Sequence, residues 1–186
     1  MPELFHIREV RLMDKRKEAN LRVKEKITTA LLHLLEQKSI SQITITEIIQ
    51  NAGVARASFY RNYSSKESVI TTLIADVLKE FHEKMKSDGE HFYTYENARM
   101  GFEFFGRYDQ IVLDLHRFGY GSIILDMLNQ FHEEVAGTMP HTSIERYRLY
   151  IYIGSLYNTA LMWLKTGKQE SLEEITELFR LSLHMG

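Results

Sequence analysis

Two histidine–glutamate pairs, His82-Glu83 and His132-Glu133, are the residues in this 186-residue chain whose types could begin a hydrolytic metal site. A zinc-protease helix needs a second histidine one turn after such a pair, so that both imidazoles fall on one face, and neither pair has it. Gly119-Tyr120-Gly121 lacks the third glycine of a dinucleotide loop, and no Gly-x-Ser-x-Gly nucleophile elbow occurs. Cysteine is absent, which removes disulfides, thiolate metal sites and cysteine nucleophiles together. The sequence therefore predicts no enzyme, no cofactor and no metal.

A different chemistry is available between Thr44 and Lys66. Arg56, Ala57 and Ser58 combine a guanidinium able to reach guanine edges or phosphates with small neighbours that let a helix backbone approach a groove floor. Charge agrees with a polyanionic partner at this end. Residues 1–66 hold 12 Lys and Arg against 7 Asp and Glu, whereas residues 67–186 hold 11 against 18. A basic front end attracts a nucleic acid that the acidic remainder would repel.

The elements that must position these side chains are helical, since only two prolines interrupt the chain and strand-like alternation is scarce. A first helix is expected from about Asn20 to Gln37, with Val23, Ile27, Ala30, Leu31, Leu34 and Leu35 on one apolar face. Residues 1–19 form an N-terminal extension for which an extra helix, a flexible arm and a start-site artefact all stay open. Thr44-Ile45-Thr46-Glu47 has capping-box spacing and opens a second helix that closes at Gly53. Val54 plugs the turn, Ala55 to Tyr60 begins a third short helix, and Ser64-Ser65-Lys66-Glu67 starts a long fourth one reaching about Lys86. Two short helices joined at a glycine, framed by one helix before and a longer one after, make a helix-turn-helix over 44–63 whose second member enters the major groove. Phe59 belongs to its miniature core. For Tyr63, core packing and phosphate contact are both open, and Thr44 serves as a cap whose hydroxyl can also meet phosphate.

The stretch Thr44 to Tyr63, with its threonine cap, Ala52-Gly53-Val54 turn, Phe59-Tyr60-x-x-Tyr63 end and following Ser65-Lys66-Glu67, resembles the DNA-binding signature of the tetracycline-repressor (TetR) family. The resemblance covers roughly residues 20–81, which are taken as the DNA-binding domain. It implies that Thr44 and Thr46 lie near the DNA backbone, that Arg56, Ala57 and Ser58 read bases, and that Tyr60, Tyr63 and Lys66 meet phosphate. Ala55 stands where the family often has serine, so no operator sequence is carried across.

Residues 87–186 are taken as a C-terminal ligand-binding and dimerisation domain with helices near 94–107, 109–119, 121–135, 143–166 and 171–184. The fourth of these has two apolar stripes, Tyr147, Ile151, Gly154 and Leu161 on one, and Leu149, Ile153, Leu156, Ala160 and Trp163 on the other. A helix apolar on both sides is buried on both sides. The second stripe, with Ile175 and Phe179 of the last helix, is expected to form a four-helix homodimer interface. The ending from Gly154 through Trp163 to Gly167 resembles C-terminal domains of a TetR subgroup common in low-GC Gram-positive bacteria. Phe104, Phe105, Tyr108, His116, Phe118, Tyr120, Met127 and Phe131 are the expected lining of a pocket for an unknown small-molecule effector.

The fold expected is thus all-α, a three-helix helix-turn-helix head joined by a long helix to a helical bundle that dimerises. The function expected is a homodimeric repressor that binds a near-palindromic double-stranded operator and is released by an effector. A TetR-like interaction protein or activator answering to a protein partner is the alternative. No signal-peptide core or bilayer-length apolar run occurs, so a cytoplasmic protein with no membrane partner is expected.

Overall fold

The computed structural model describes residues 2–84, 93–137 and 143–184, with side chains described over 16–81, 93–137 and 143–184. Every regular element among them is helical. The chain divides into two compact units, Met1–Leu73 and Ile74–Gly186. Position 87, taken above as the start of the second domain, and the side chains of His82 and Glu83 lie outside the described residues.

The first unit opens with α1 (Pro2–Leu35), so the backbone of the N-terminal extension continues the first helix where a start near Asn20 was expected. Its apolar stripe is realised: Ile27 and Leu31 are fully buried, with Ala30, Leu34 and Leu35 beside them. A single 3-10 turn, η1 (Ile40–Gln42), leads to α2 (Ile45–Ala52), α3 (Arg56–Asn62) and the start of α4 (Lys66–Lys84). Ile43, Ile48, Phe59, Tyr63, Val69 and Ile70 close the small core against α1. Phe59 and Tyr63 pack with ring centroids 5.8 Å apart.

Both ends of α2 follow from local chemistry. Thr44 Oγ1 accepts from the Glu47 amide at 3.2 Å, and the Glu47 carboxylate accepts from the Thr44 amide at 2.9 Å, satisfying two amides that the helix start leaves open. At the other end Gly53 takes the left-handed conformation, φ 61°, ψ 38°, which a residue without a Cβ adopts without strain. Its amide and that of Val54 return to the carbonyls of Gln50 and Ile49.

The second unit contains α5 (Tyr95–Arg107), α6 (Asp109–Arg117), α7 (Gly121–Ala136), α8 (Ile144–Lys165) and α9 (Leu172–Ser182). Thr94, Ser143 and Ser171 cap α5, α8 and α9 through their hydroxyls. α5 packs on α8 and α9, and α7 packs on α8. The core is aromatic where α5, α8 and α9 meet: Phe102 lies 5.4 Å from Phe179 and 6.2 Å from Trp163, and Tyr152 lies 5.5 Å from Phe179, all edge to face.

This packing corrects the interface expected from sequence. Leu149, Ile153, Leu156, Ala160, Trp163, Ile175 and Phe179 are all buried within their own chain. Trp163 Nε1 donates to the Glu170 carbonyl at 2.9 Å, tying the end of α8 to the turn before α9. Leu156 fits against Gly101 of α5, where a Cβ would come within 2.8 Å of its Cδ2. The face left uncovered is the other one: Ile144, Tyr147, Ile151 and Met162 on α8 are 53–68% exposed, and Leu178 and Leu181 on α9 are each 57% exposed. Leu161, placed on this stripe from its spacing, turns inward and is buried.

Candidate nucleic-acid interface

The head's outward surface is built on α3. Ala55, Arg56, Ala57 and Tyr60 are exposed and Ser58 is half-buried, while Phe59 points into the core and fixes the helix's rotation. Arg56 and Tyr60 sit one turn apart and form a pair. The guanidinium lies 5.4 Å from the Tyr60 ring centroid, and its Nη2 donates to the phenol oxygen at 3.3 Å. Such stacking holds a long flexible cation in one region of the surface before any partner arrives. Ala55 stands at the N-cap without a side-chain hydrogen bond, so the first amides of α3 are not closed off by a hydroxyl.

Thr44 and Thr46 are exposed at the start of α2. The Thr44 hydroxyl gives its proton to Glu47 at 2.9 Å, so its role as a cap is structural. The Glu47 carboxyl is held far below the usual carboxylate range, at about 2, chiefly by the hydrogen bond from Lys38 and then by those from Thr44. That leaves a paired carboxylate whose charge is offset by Lys38.

Two residues expected at the DNA take other places. Tyr63 is 4% exposed and belongs to the core, closing the stack with Phe59. Lys66 is turned back onto its own chain: Nζ donates to the carbonyls of Ile40 and Ile43, each at 2.6 Å, and of Ser41 at 3.4 Å. An ammonium has three donors, and all three are used on carbonyls in and just after η1. Lys66 is therefore a clamp between the start of α4 and the turn before α2. The sequence offered no signal for this, because the carbonyls lie 23–26 positions away.

The residues expected to share an effector pocket are not brought together. Phe104 lines a small cavity with Glu80, Phe81, Met100, Glu103 and Arg107. Met127 and Phe131 line a separate groove of about 510 Å³ with Leu78 and Val135. Phe105 and Tyr120 are buried in the core. Tyr108 donates to Glu80. His116 lies against Lys165, whose Nζ is 3.0 Å from Nε2, and Phe118 lies under Arg117. Among the described residues no three His, Asp or Glu side chains are grouped to hold a metal, and no helix is long and apolar enough to cross a membrane.

Residues 27–72 match the family profile described as bacterial regulatory proteins, tetR family. Over this segment the head is similar to the TetR family. Across this region the chain is 29% identical over 62 residues to the HTH-type transcriptional regulator YvdT of Bacillus subtilis, a match covering 33% of this chain and 32% of that protein. The chain thus aligns with about a third of the relative's length. The all-helical fold is shared more widely. Lin0861 from Listeria innocua superposes with a TM-score of 0.69 at 14% identity, covering 88% of this chain and 90% of that one. A TetR transcriptional regulator from Streptococcus agalactiae 2603V superposes with a TM-score of 0.54 at 20% identity, covering 92% and 98%. The Ala-Gly-Val turn and the exposed Arg56–Tyr60 pair both lie within the matched segment.

Proposed function

We propose that the protein is a homodimeric TetR-family transcriptional regulator that reads a near-palindromic operator through paired α3 helices and is released from it by a small effector. The observation that carries this reading is the surface of α3, where Arg56, Ala57 and Tyr60 stand outward above a buried Phe59. Arg56 supplies bidentate donors for guanine edges, Ala57 leaves the helix room at the groove floor, Ser58 offers a hydroxyl, and Tyr60 orients Arg56 and adds a phosphate donor. Thr44 and Thr46 flank the groove at the backbone.

The exposed apolar residues of α8 and α9 support dimerisation. Six large side chains more than half exposed on two helices form an apolar surface of the kind that marks a protein partner. A second copy presenting the same two helices would complete a four-helix interface. Release requires that the effector bind better to the form that does not fit the operator, since equal affinity for both forms would shift nothing.

The test begins with selection of operator DNA from a random pool by the wild-type protein. The Arg56→Ala, Tyr60→Ala double variant should then lose binding to the selected sequence while its sedimentation as a dimer is unchanged. Unchanged affinity and unchanged salt dependence in the double variant would place the reading surface elsewhere.

A further inference from the structure

Among the described glycines, all but one have a reason within the chain. Gly53, Gly119, Gly137 and Gly167 take positive φ. A Cβ at Gly101, Gly106 or Gly121 would meet Leu156, Trp163 or His116 at 3.4 Å or less. Gly154 has neither reason. It lies in the middle of α8 without a positive φ, and nothing stands within 4 Å of where its Cβ would be. A glycine inside a helix is less stable than alanine by about 0.5–1 kcal/mol. What it provides is room on the outside of the helix, where a second backbone can come close.

That outside is the uncovered face of α8. Ile144, Tyr147, Ile151 and Met162 are more than half exposed there, and Asn158 and Lys165 are exposed with them. These positions are symmetric about the point between Gly154 and Ser155: 144 and 165 are equally far from it, as are 147 and 162, and 151 and 158. The smallest side chains stand at the centre and long ones toward the ends. Two crossing helices are closest where they cross and diverge on either side. Small residues therefore fit the crossing, and Tyr147 and Met162, each about 11 Å along the helix from it, have the length to span the widening gap.

We propose that α8 packs antiparallel on α8 of a second copy and crosses it at Gly154 and Ser155, with Tyr147 against Met162 and Ile151 against Asn158 of that copy. The two-fold axis passes through the crossing, so each side of it holds the same pairs, as an isologous contact requires. A parallel pairing would set every residue against its own equivalent. Tyr147 and Ile151 would then crowd one half, Asn158 would leave the other thin, and Lys165 would meet Lys165. In the antiparallel pairing Lys165 lies beside Ile144 of the other copy, and the two lysines are about 30 Å apart. The proposal rests on the dimeric reading above and adds to it the orientation of the two helices and the point where they touch.

The chain has no cysteine, so introduced cysteines in the full-length protein report the pairing directly. With bismaleimidoethane, Ser155→Cys should give a covalent dimer. Tyr147→Cys and Met162→Cys should each stay uncrosslinked alone, because equal positions lie about 22 Å apart along the helices, a distance this reagent does not bridge. Co-expressed, the two variants should crosslink to each other. Gly154→Leu adds a side chain that meets nothing in its own chain, so its helical spectrum should be unchanged while its dimer dissociation constant rises tenfold or more. If the protein sediments as a dimer but Tyr147→Cys crosslinks alone, or Ser155→Cys or the co-expressed pair does not crosslink, the crossing is overturned and the dimer stands. A Gly154→Leu variant as dimeric as the wild type overturns the crossing in the same way. A wild-type chain that sediments as a monomer overturns the dimeric reading itself, and the crossing with it.

Discussion

At the scale of single residues, two cations at the helix-turn-helix, Arg56 and Lys66, are placed differently. Arg56 is exposed and stacked on Tyr60, whereas Lys66 has its three donors on backbone carbonyls. Replacing Arg56 with alanine should leave the melting temperature unchanged and cost about 1–3 kcal/mol of operator affinity. Replacing Lys66 with methionine should instead lower folding stability by about 1–3 kcal/mol, because part-buried carbonyls lose a charged donor. The salt slope of DNA binding should then stay as it was, and a slope reduced by about one in the Lys66 variant would return that residue to the phosphate backbone. The outward place of Arg56 was legible from its position beside the core residue Phe59 on one short helix, while the place of Lys66 was not, because it depends on how a distant turn folds back. His132 gives a residue-scale pH dependence. It is buried on α7 with Nδ1 2.6 Å from the Leu128 carbonyl, and burial pushes its pKa from 6.5 down to about 4. The unfolded chain binds the proton that the folded chain refuses, so the stability from keeping this ring neutral is fully present above pH 6.5. It is lost progressively as pH falls toward 4, on the order of 3 kcal/mol in all. Urea unfolding at pH 7 and pH 4.5 should show this loss in the wild type and less of it in His132→Gln.

At the scale of elements, α8 shows where sequence periodicity ends. Its two apolar stripes were visible from spacing, and within the chain one is buried while the other is exposed. Which stripe faces inward was not visible, because spacing gives the angle between stripes and no information on the neighbours that meet each. The deciding contacts are tertiary: the Trp163 indole donating to Glu170, Leu156 closing over Gly101, and the aromatic cluster around Phe179. One signal was available. The stripe that turned out exposed carries Gly154, Ser155 and Asn158 among its apolar residues, a mixed composition, whereas Leu149, Ile153, Leu156 and Ala160 are uniformly apolar. The helix ends were more legible than the helix faces, since caps at Thr44, Thr94, Ser143 and Ser171 are local chemistry. Gly53 tests that local logic. Nothing lies within 4 Å of where its Cβ would stand, yet its φ is +61°. Gly53→Ala should therefore destabilise the head by about 1 kcal/mol through backbone strain alone, and Gly53→Asn by less, because asparagine tolerates the left-handed region.

At the scale of the whole molecule, DNA affinity and assembly are coupled by arithmetic. On the proposed reading one α3 offers only a short surface, of seven residues, and specific recognition of a near-palindrome needs two such surfaces held together. If the exposed residues of α8 and α9 hold them, introducing charge there must separate DNA reading from DNA affinity. Ile151→Glu with Leu178→Glu places two carboxylates per chain on a face whose apolar residues are already in solvent, so the isolated chain should remain folded with an unchanged helical spectrum. By contrast, Ile153→Ala in the buried stripe should cost about 2–5 kcal/mol of folding stability, measured by urea unfolding. Analytical ultracentrifugation should show the double glutamate variant as a monomer of about 21.9 kDa. Its binding to a selected operator should weaken by more than tenfold, and its salt slope should fall toward half, since each chain would neutralise only its own share of phosphates. A variant that remains dimeric would remove these two helices from the interface. A variant that becomes monomeric but keeps full operator affinity would show instead that a single head carries recognition, and the near-palindrome would no longer be required.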